Sequence, residues 1–584
     1  MVNITINEQA VAVPEGSTIL DAARTAGIHI PHLCYLKEIN EIGACRLCSV
    51  EVAGEDKLIP ACDNVVREGM KITTNSPRVR IAVRTNLELI LSQHDCKCAL
   101  CVRSGNCRLQ TLANDYNLLE NPYPVELPKG KLAHWNKDFP FFRDYAKCVK
   151  CMRCIQICDK VQGIHIWDLM ATGSRTHVDV SENRDIEQSD CTLCGQCVTH
   201  CPVGALRERD DCRKVRDALE NPDMITVAQI APAIRTAWGE SLGLKPEEAT
   251  VNRLCGVLRQ MGFDYVFDTS FSADLTIMEE ANEFLARMKK GDLKKYPMFT
   301  SCCPGWIRFV KSQFPELVGQ LSTAKSPQQM FGSIVKNYFA KKIGVAPEKI
   351  CCVSIMPCIA KKSECDLPTM VNAQGIKDVD YVLTSREIVR MLRADRISVH
   401  RIGDSPFDRL LNDYSGAAVI FGATGGVMEA ALRTAAFAVT GKNPEPEAFS
   451  ELRMHEGNCK NAWREGTFTL NGTKLRIAVT SGLANTRKLC NAIIRGEVKY
   501  DFVEVMACPG GCSGGGGQPI HTDDIERAAE RGQVLYRIDR SMPLRFSHEN
   551  PDVQALYADE LGTPLSERSE ELLHTDHFGW QMPE

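Results

Sequence analysis

Three short stretches in the second half of this 584-residue chain combine residue types that do chemistry. They are Thr300-Ser301-Cys302-Cys303-Pro304-Gly305-Trp306, Met356-Pro357-Cys358 and Met506-Ala507-Cys508-Pro509-Gly510-Gly511-Cys512. Thiolate sulfur is a soft ligand for iron, and four of these cysteines, Cys303, Cys358, Cys508 and Cys512, suffice to hold one cubane iron–sulfur cluster. Ordinary buried cysteines are the plain alternative. The glycine and proline crowded into these loops argue against it, because close backbone approach to an inorganic group needs residues without bulk. Each stretch follows an apolar run that reads as a buried strand: Tyr296 to Phe299, Ile350 to Ile355 and Phe502 to Val505. In a mostly parallel sheet, ligands gather beyond the carboxyl ends of the strands, so loops at three strand ends can converge on one pocket.

Further cysteines upstream fall into three groups. Cys148-x2-Cys151-x2-Cys154-x3-Cys158 is followed by Cys191-x2-Cys194-x2-Cys197-x3-Cys201-Pro202, the two-cluster bacterial ferredoxin pattern in which each fourth cysteine ligates the other cluster. That pattern assigns Cys148, Cys151, Cys154 and Cys201 to one cubane, and Cys191, Cys194, Cys197 and Cys158 to a second. Asp159 stands where the first motif usually has proline. His94, Cys98, Cys101 and Cys107 follow the spacing His-x3-Cys-x2-Cys-x5-Cys, which resembles the His/Cys3 [4Fe–4S] module of large hydrogenases and respiratory complex I. Imidazole in place of a thiolate removes negative charge and raises the cluster potential. Cys96 lies two residues from His94 and is a rival ligand. Finally, Cys34, Cys45, Cys48 and Cys62 resemble the [2Fe–2S] ferredoxin pattern on a β-grasp fold, with a longer first gap than usual. Zinc is the competing metal there.

The elements that must position these groups divide the chain into successive domains, and its length suggests roughly three to five of them. Residues 1–78 read as a small α/β domain. Val2, Ile4 and Ile6 form one strand face, Asn7-Glu8-Gln9 a turn, and Val11 and Val13 a returning strand. Thr18 and Asp21 make a capping box for a helix from Ile19 to Ala26 that Gly27 ends. Residues 79–120 form the His/Cys3 domain and 138–212 the two-cluster domain. Residues 213–520 have α/β texture with at least two lobes, and Ile225 to Ile230, Ala417 to Phe421 and Arg476 to Val479 are further buried-strand runs. Residues 521–584, punctuated by Pro543, Pro551 and Pro564, read as a partly helical wrap over the preceding domain.

Hydrophobic content of 44% and charged content of 24% suit a soluble globular protein, and a net charge of −5 gives no reason to expect nucleic-acid binding. No apolar run reaches the ~18 residues of a membrane span, and Met1-Val2-Asn3-Ile4-Thr5-Ile6 alternates like a strand rather than a signal region. The 28 cysteines, many at Cys-x-x-Cys spacing in a chain that needs no disulfides to fold, suit metal binding in a reducing compartment. The expected location is the cytoplasm, with no nucleic-acid or membrane partner.

Thr300-Ser301-Cys302-Cys303-Pro304, Met356-Pro357-Cys358-x2-Lys361-Lys362 and Glu504-x-Met506-Ala507-Cys508-x3-Cys512 stand in this order behind accessory cluster modules. Over nearly its whole length the chain therefore resembles the large, multi-cluster [FeFe]-hydrogenases. The resemblance implies a multidomain α/β and α+β fold: a β-grasp [2Fe–2S] domain, a His/Cys3 domain, a two-cluster ferredoxin domain, and a two-lobed α/β catalytic domain with a small-subunit-like tail. It implies reversible heterolytic cleavage of H2 into protons and electrons. The implied cofactors are an H-cluster, which is a [4Fe–4S] cubane joined to a di-iron unit bearing CO, cyanide and a bridging dithiolate, with three accessory [4Fe–4S] clusters and one [2Fe–2S] cluster.

By the same resemblance, Cys303, Cys358, Cys508 and Cys512 hold the catalytic cubane, with Cys512 bridging to the di-iron unit. Pro232, Ala233, Gln328, Met356, Lys361, Phe421, Gly422 and Met506 line the pocket around that unit, Lys361 as a charge-assisted donor to cyanide. Ala233 stands where some members have serine. Protons are expected to leave through Cys302, Glu280, Ser322 and Glu283; the two glutamates lie at i, i+3 on one helix face. Electrons leave through the ferredoxin-like pair nearest the catalytic site and then the branches near His94 and Cys62. Cys96, Cys212, Cys255, Cys351, Cys352, Cys365, Cys459 and Cys490 are left as small core residues.

A sensory relative would lack the counterpart of Cys302, and a non-catalytic cluster carrier or assembly factor would lack Lys361 and Glu280. For the electron partner, a stand-alone enzyme would use ferredoxin. The arrangement ending in Leu572-Leu573-His574-Thr575 is also similar to catalytic subunits of NAD(P)-linked, electron-bifurcating complexes. The chain shows no Gly-rich dinucleotide fingerprint, so flavin and NAD(P) are expected on partner subunits of a hetero-oligomer.

Overall fold

A computed structural model describes residues 1–124, 135–453 and 462–583. At its N-terminus five strands form a sheet of order β2-β1-β5-β3-β4: β1 (Val2–Ile6), β2 (Gln9–Val13), β3 (Ser49–Val52), β4 (Ile59–Pro60) and β5 (Lys71–Thr73). Asn7 and Glu8 join β1 to β2 with φ of 47° and 69°, the left-handed pair that a tight hairpin turn needs. The helix Ile19–Thr25 starts at Thr18, whose hydroxyl accepts from the Asp21 amide at 3.1 Å. Only half of the expected capping box forms, because the Asp21 carboxylate takes the Thr18 hydroxyl at 2.9 Å instead of reaching its backbone N–H.

Residues 135–212 fold around two short antiparallel ladders, β6 (Phe141–Arg143) with β9 (Leu206–Glu208) and β7 (Trp167–Met170) with β8 (His177–Val180). The catalytic part is built on two sheets. The first, of order β11-β10-β13-β14, is wholly parallel and contains β10 (Ile225–Ile230), β11 (Tyr265–Asp268), β13 (Ile350–Met356) and β14 (Tyr381–Thr384). All seven residues of β13 are buried, as a strand covered on both faces requires. The second, of order β12-β17-β16-β15, contains β12 (Met298–Phe299), β15 (Arg464–Leu470), β16 (Thr473–Ser481) and β17 (Phe502–Met506), parallel except for the β15–β16 hairpin. The three cysteine loops therefore leave two sheets rather than one, with β13 in one lobe and β12 and β17 in the other.

Two strand expectations change. The run from Tyr296 shortens to the two-residue β12. Ala417 to Phe421 is a helix, Gly416–Val419, continued by the turn Ile420–Gly422. Ser415 caps it by accepting from the Ala418 amide at 3.3 Å. A short, uniformly apolar run has no period, so a buried helical turn and a buried strand look alike in sequence.

The long helix Ser270–Lys290 packs against Pro327–Ile334 and Gly426–Thr440. The tail lies on the same framework. Its helix Ala528–Ser541 covers Gly416–Val419 and the turn Pro232–Thr236, and Glu567–Leu573 covers Pro327–Ile334. Backbone bonds from Lys325 N to Leu573 O (2.7 Å) and from Thr575 N to Thr323 O (2.8 Å) stitch the tail to the loop before Pro327–Ile334. Among the described residues no helix is long and apolar enough to cross a membrane.

Candidate active site and redox centres

A cavity of about 80 Å³ opens where the two sheets meet. Cys303 follows β12, Cys358 follows β13, and Cys508 and Cys512 follow β17; all four line this cavity. Their thiols lie close enough for the charge on one to raise the pKa of the next. Burial and then Cys303 push Cys358 up to about 12, and burial, Cys358 and Cys303 do the same to Cys512. Burial, followed by Cys194, Cys358 and Cys303, pushes Cys508 well up. Four converging thiols in a dry pocket are a donor set suited to a cation that would stabilise their thiolates. Glycines let the loops close around it: a Cβ on Gly515 would meet Pro357 O at 2.1 Å, and one on Gly517 would meet Cys358 N at 2.7 Å. The residues thus fit a cubane held at this point.

Pro232, Ala233, Gln328, Met356, Lys361, Phe421, Gly422 and Met506 all line the same cavity, beside Cys302. Lys361 is not a free cation there. Its ammonium donates to both oxygens of Glu364, at 2.9 and 3.1 Å, and to Cys302 O at 3.1 Å. Glu364 was not anticipated as a site residue, although its position three residues after Lys361 was the available signal. It also accepts from Gln328 at 3.1 Å and from Ser326 at 2.9 Å.

Glu280 and Glu283 sit on the buried side of Ser270–Lys290 rather than on a solvated face. Glu280 is 0% exposed, and neither carboxylate oxygen has a well-aligned hydrogen-bond partner. Burial, and then the Glu283 charge, push its pKa from 4.5 to about 8, with the nearby Ser322 hydroxyl and Ser301 amide pulling the other way. Glu280 in turn raises the Cys302 thiol, second only to burial. Ser322 donates to Glu283 at 2.7 Å, and Glu283 accepts from Arg287, one helical turn on and nearer solvent, at 2.6 Å. Cys302, Glu280, Ser322 and Glu283 therefore lie next to one another in that sequence. The tail adds two partners that no local sequence signal marked. His577 bonds Ser322 O at 2.7 Å, and His574 bonds the Thr323 hydroxyl at 2.7 Å.

The accessory cysteines also gather. Cys45, Cys34, Cys62 and Cys48 form a chain of neighbouring thiols, each in hydrogen-bonding contact with the next. Cys151, Cys154 and Cys148 group with Cys201, and Cys158 groups with Cys191, Cys194 and Cys197. This is the crossed arrangement that the spacing suggested. The Cys508 thiol approaches Cys194 O at 3.7 Å, which sets the second group against the catalytic cavity. Asn40 bridges Cys34 O (2.7 Å) and Cys151 O (2.9 Å), and Arg103 reaches from the Cys101/Cys107 loop to Cys201 O (3.4 Å). Two branches therefore meet the Cys148/Cys151/Cys154/Cys201 group.

His94 is 7% exposed, and its Nδ1 bonds Lys147 O at 3.1 Å, which orients the ring and leaves Nε2 for another partner. Cys96 is exposed, contrary to its expected place in a core, because it lies on the turn into Cys98–Leu100. Cys212 is half-buried. Cys255, Cys351, Cys352, Cys365 and Cys490 are buried. Cys459 falls outside the described residues.

Comparison with known proteins gives consistent matches along the chain. Residues 224–516 match the family described as the iron only hydrogenase large subunit, C-terminal domain, and 525–580 the iron hydrogenase small subunit. Residues 1–77 match a 2Fe-2S iron-sulfur cluster binding domain, 84–122 the NADH-ubiquinone oxidoreductase-G iron-sulfur binding region, and 147–205 a 4Fe-4S dicluster domain. The chain is 46% identical over 99% of both chains to the "NADP-reducing hydrogenase subunit HndD" of Solidesulfovibrio fructosivorans. It is 37% identical to "Iron hydrogenase 1" of Clostridium pasteurianum, covering 98% of this chain and 99% of that one. "Cytosolic iron-sulfur assembly component 3" of Mus musculus is 32% identical over 69% of this chain and 86% of its own length. Among solved structures, an apo [FeFe]-hydrogenase HydA1 from Chlamydomonas reinhardtii superposes with a TM-score of 0.57 at 38% identity, covering 64% of this chain and 99% of that chain.

Proposed function

The chain belongs to the iron-only hydrogenase family, and we propose that it works as the H2-activating subunit of a hetero-oligomer whose other subunits reduce NAD(P). The observation that carries the catalytic part is the single cavity in which four thiols, Lys361 and the inner end of the Cys302–Glu280–Ser322–Glu283 series meet. Cys303, Cys358, Cys508 and Cys512 would hold the H-cluster through its cubane. When bound, that group supplies the heterolytic cleavage of H2. The residues around it do the rest. The apolar walls exclude water, and Lys361 presents a donor whose charge Glu364 already compensates. Cys302 is the first proton carrier. Glu280, kept protonated near neutral pH by burial, passes protons to Ser322 and Glu283, and Arg287 holds Glu283 toward the exit.

Electrons take the other direction, through Cys191/Cys194/Cys197/Cys158 and then Cys148/Cys151/Cys154/Cys201, to centres at Cys34/Cys45/Cys48/Cys62 and at Cys98/Cys101/Cys107 with His94. His94 is favoured over Cys96 because its ring is buried and oriented. These ligand sets imply three accessory [4Fe–4S] clusters and one [2Fe–2S] cluster. The NAD(P) partner rests on the likeness to the HndD subunit across both full lengths, together with the absence of a dinucleotide fingerprint here. Purification of the native assembly with subunit identification and an NAD(P)H-coupled H2 assay tests it. Isolation as a lone active chain coupled to ferredoxin overturns the partner reading. The second reading, a stand-alone ferredoxin-dependent enzyme, draws on the equally complete match to Iron hydrogenase 1. An assembly or sensory role is disfavoured because Cys302, Glu280 and Lys361 are all present in the sequence.

A further inference from the structure

Seven arginines are buried among the described residues, and five of them have a carboxylate partner. Arg153 pairs with Asp524, Arg235 with Asp268, Arg433 with Asp539, Arg453 with Glu429 and Arg531 with Glu240. The other two, Arg103 and Arg143, form no ion pair. A buried guanidinium without a counter-ion costs several kcal/mol, which a fold sustains only when an anion compensates it. Both of these arginines approach the Cys148/Cys151/Cys154/Cys201 group, Arg143 at Cys148 and Arg103 at Cys201. Arg143, 1% exposed, donates its Nη2 to Val178 O, with the Cys148 thiol also within reach at 3.7 Å, and stacks on Tyr145 (4.7 Å) and Trp167 (4.8 Å), with its Nε left without any partner. The nearby Asp179 is engaged by the Tyr145 hydroxyl and the Val180 amide instead. Arg103 approaches from the opposite element, bonding Cys201 O at 3.4 Å and Asn106 O at 2.7 Å. The thiols of Cys201, Cys107 and Cys101 favour its charge, and Arg386 opposes it.

We propose that Arg103 and Arg143 are the built-in counter-charges of the Cys148/Cys151/Cys154/Cys201 centre, raising its reduction potential so that electrons rest at the junction where the two branches meet. The inference rests on the cluster assignment above. A cubane with four thiolates gains a further negative charge on reduction, so two fixed cations in a low-dielectric shell favour the reduced form over the oxidised one. Both arginines are positioning residues, since they act on the potential of the centre rather than on H2.

The test is EPR-monitored reduction of the fully loaded holoenzyme against applied potential. In Arg143→Met, and separately in Arg103→Met, one cubane signal is expected to become harder to reduce by at least tenfold, 59 mV for one electron. Arg143→Lys, which keeps the charge, is expected to stay within twofold of wild type. A shift below twofold in Arg143→Met at full iron content overturns the proposal and leaves the arginine an aromatic-stacked staple. If Arg143→Met fails to retain its iron, Arg143→Lys must retain it with a near-native midpoint; loss of the cluster in both variants overturns the role of charge. Absence of paired cubane signals from the wild-type protein refutes the cluster assignment itself, which is a different result from an unmoved midpoint.

Discussion

Replacing Glu280 by glutamine separates the two things its burial does. The carboxyl is enclosed with no aligned partner, and burial, reinforced by Glu283, moves it from 4.5 to about 8. At about 1.4 kcal/mol per pH unit, that interval amounts to about 5 kcal/mol in favour of the protonated form. Between pH 4.5 and 8 the folded protein holds a proton there that the unfolded chain has released. Stability from this group therefore declines as pH rises through the window, and the full penalty is present above pH 8. Glutamine keeps the shape and cannot ionise. Glu280→Gln is thus expected to protect the helix Ser270–Lys290 better than wild type at alkaline pH, by at most about 5 kcal/mol, with the advantage fading toward pH 4.5. Hydrogen exchange of the helix amides at pH 6 and pH 9 reads this locally, which a global melting curve of a multidomain protein does not. In the same variant H2 turnover should fall by about 10²-fold or more, since a general acid–base step contributes about 10² to 10⁴. Turnover within tenfold of wild type, or an exchange difference that does not grow with pH, refutes the reasoning.

Cys302→Ala should leave iron content and cluster spectra intact while lowering turnover by about 10² to 10⁴; near-normal H2 oxidation in that variant removes Cys302 from the relay. Gly515→Ala places a Cβ about where Pro357 O now sits, 2.1 Å away, so iron at the catalytic site should be lost while the accessory clusters persist. Unchanged H-cluster infrared bands would count against the close-packed loop. Asp524 holds Arg153, Arg108 and His32, and their charges and hydrogen bonds keep its carboxyl below the usual range. Asp524→Asn should loosen the first domain by about 3–5 kcal/mol, seen as faster limited proteolysis at neutral pH. Because the folded pKa is depressed, this stabilisation is present above the unfolded value of 3.8 and lost as pH falls below it, so variant and wild type should converge in acid.

The grouping of the thiols was legible in the sequence because a Cys-x2-Cys-x2-Cys turn is local chemistry: the covalent spacing alone limits which sulfurs can come together. The crossed fourth cysteines, Cys158 and Cys201, followed from a known pattern of the same kind. The i, i+3 step from Glu280 to Glu283 was equally readable, whereas their burial was not. Local spacing failed where the signal was only apolar, as at Ala417 to Phe421, which carry no period and form a helix. It also could not say that β13 and β17 belong to different sheets whose ends face one cavity, since strand pairing is settled between residues far apart in sequence.

The tertiary structure alone decided what surrounds the chemistry. Asp524 lies 371 residues from Arg153, His577 lies 255 from Ser322, and Arg143 meets its thiols without a carboxylate partner. None of these could be read in advance, because whether a charge is compensated depends on everything folded around it. The sequence by itself determined which atoms can bind iron and move protons. Packing determined how dry those atoms are, what opposes their charge, and hence the pKa of Glu280 and the company kept by each cluster.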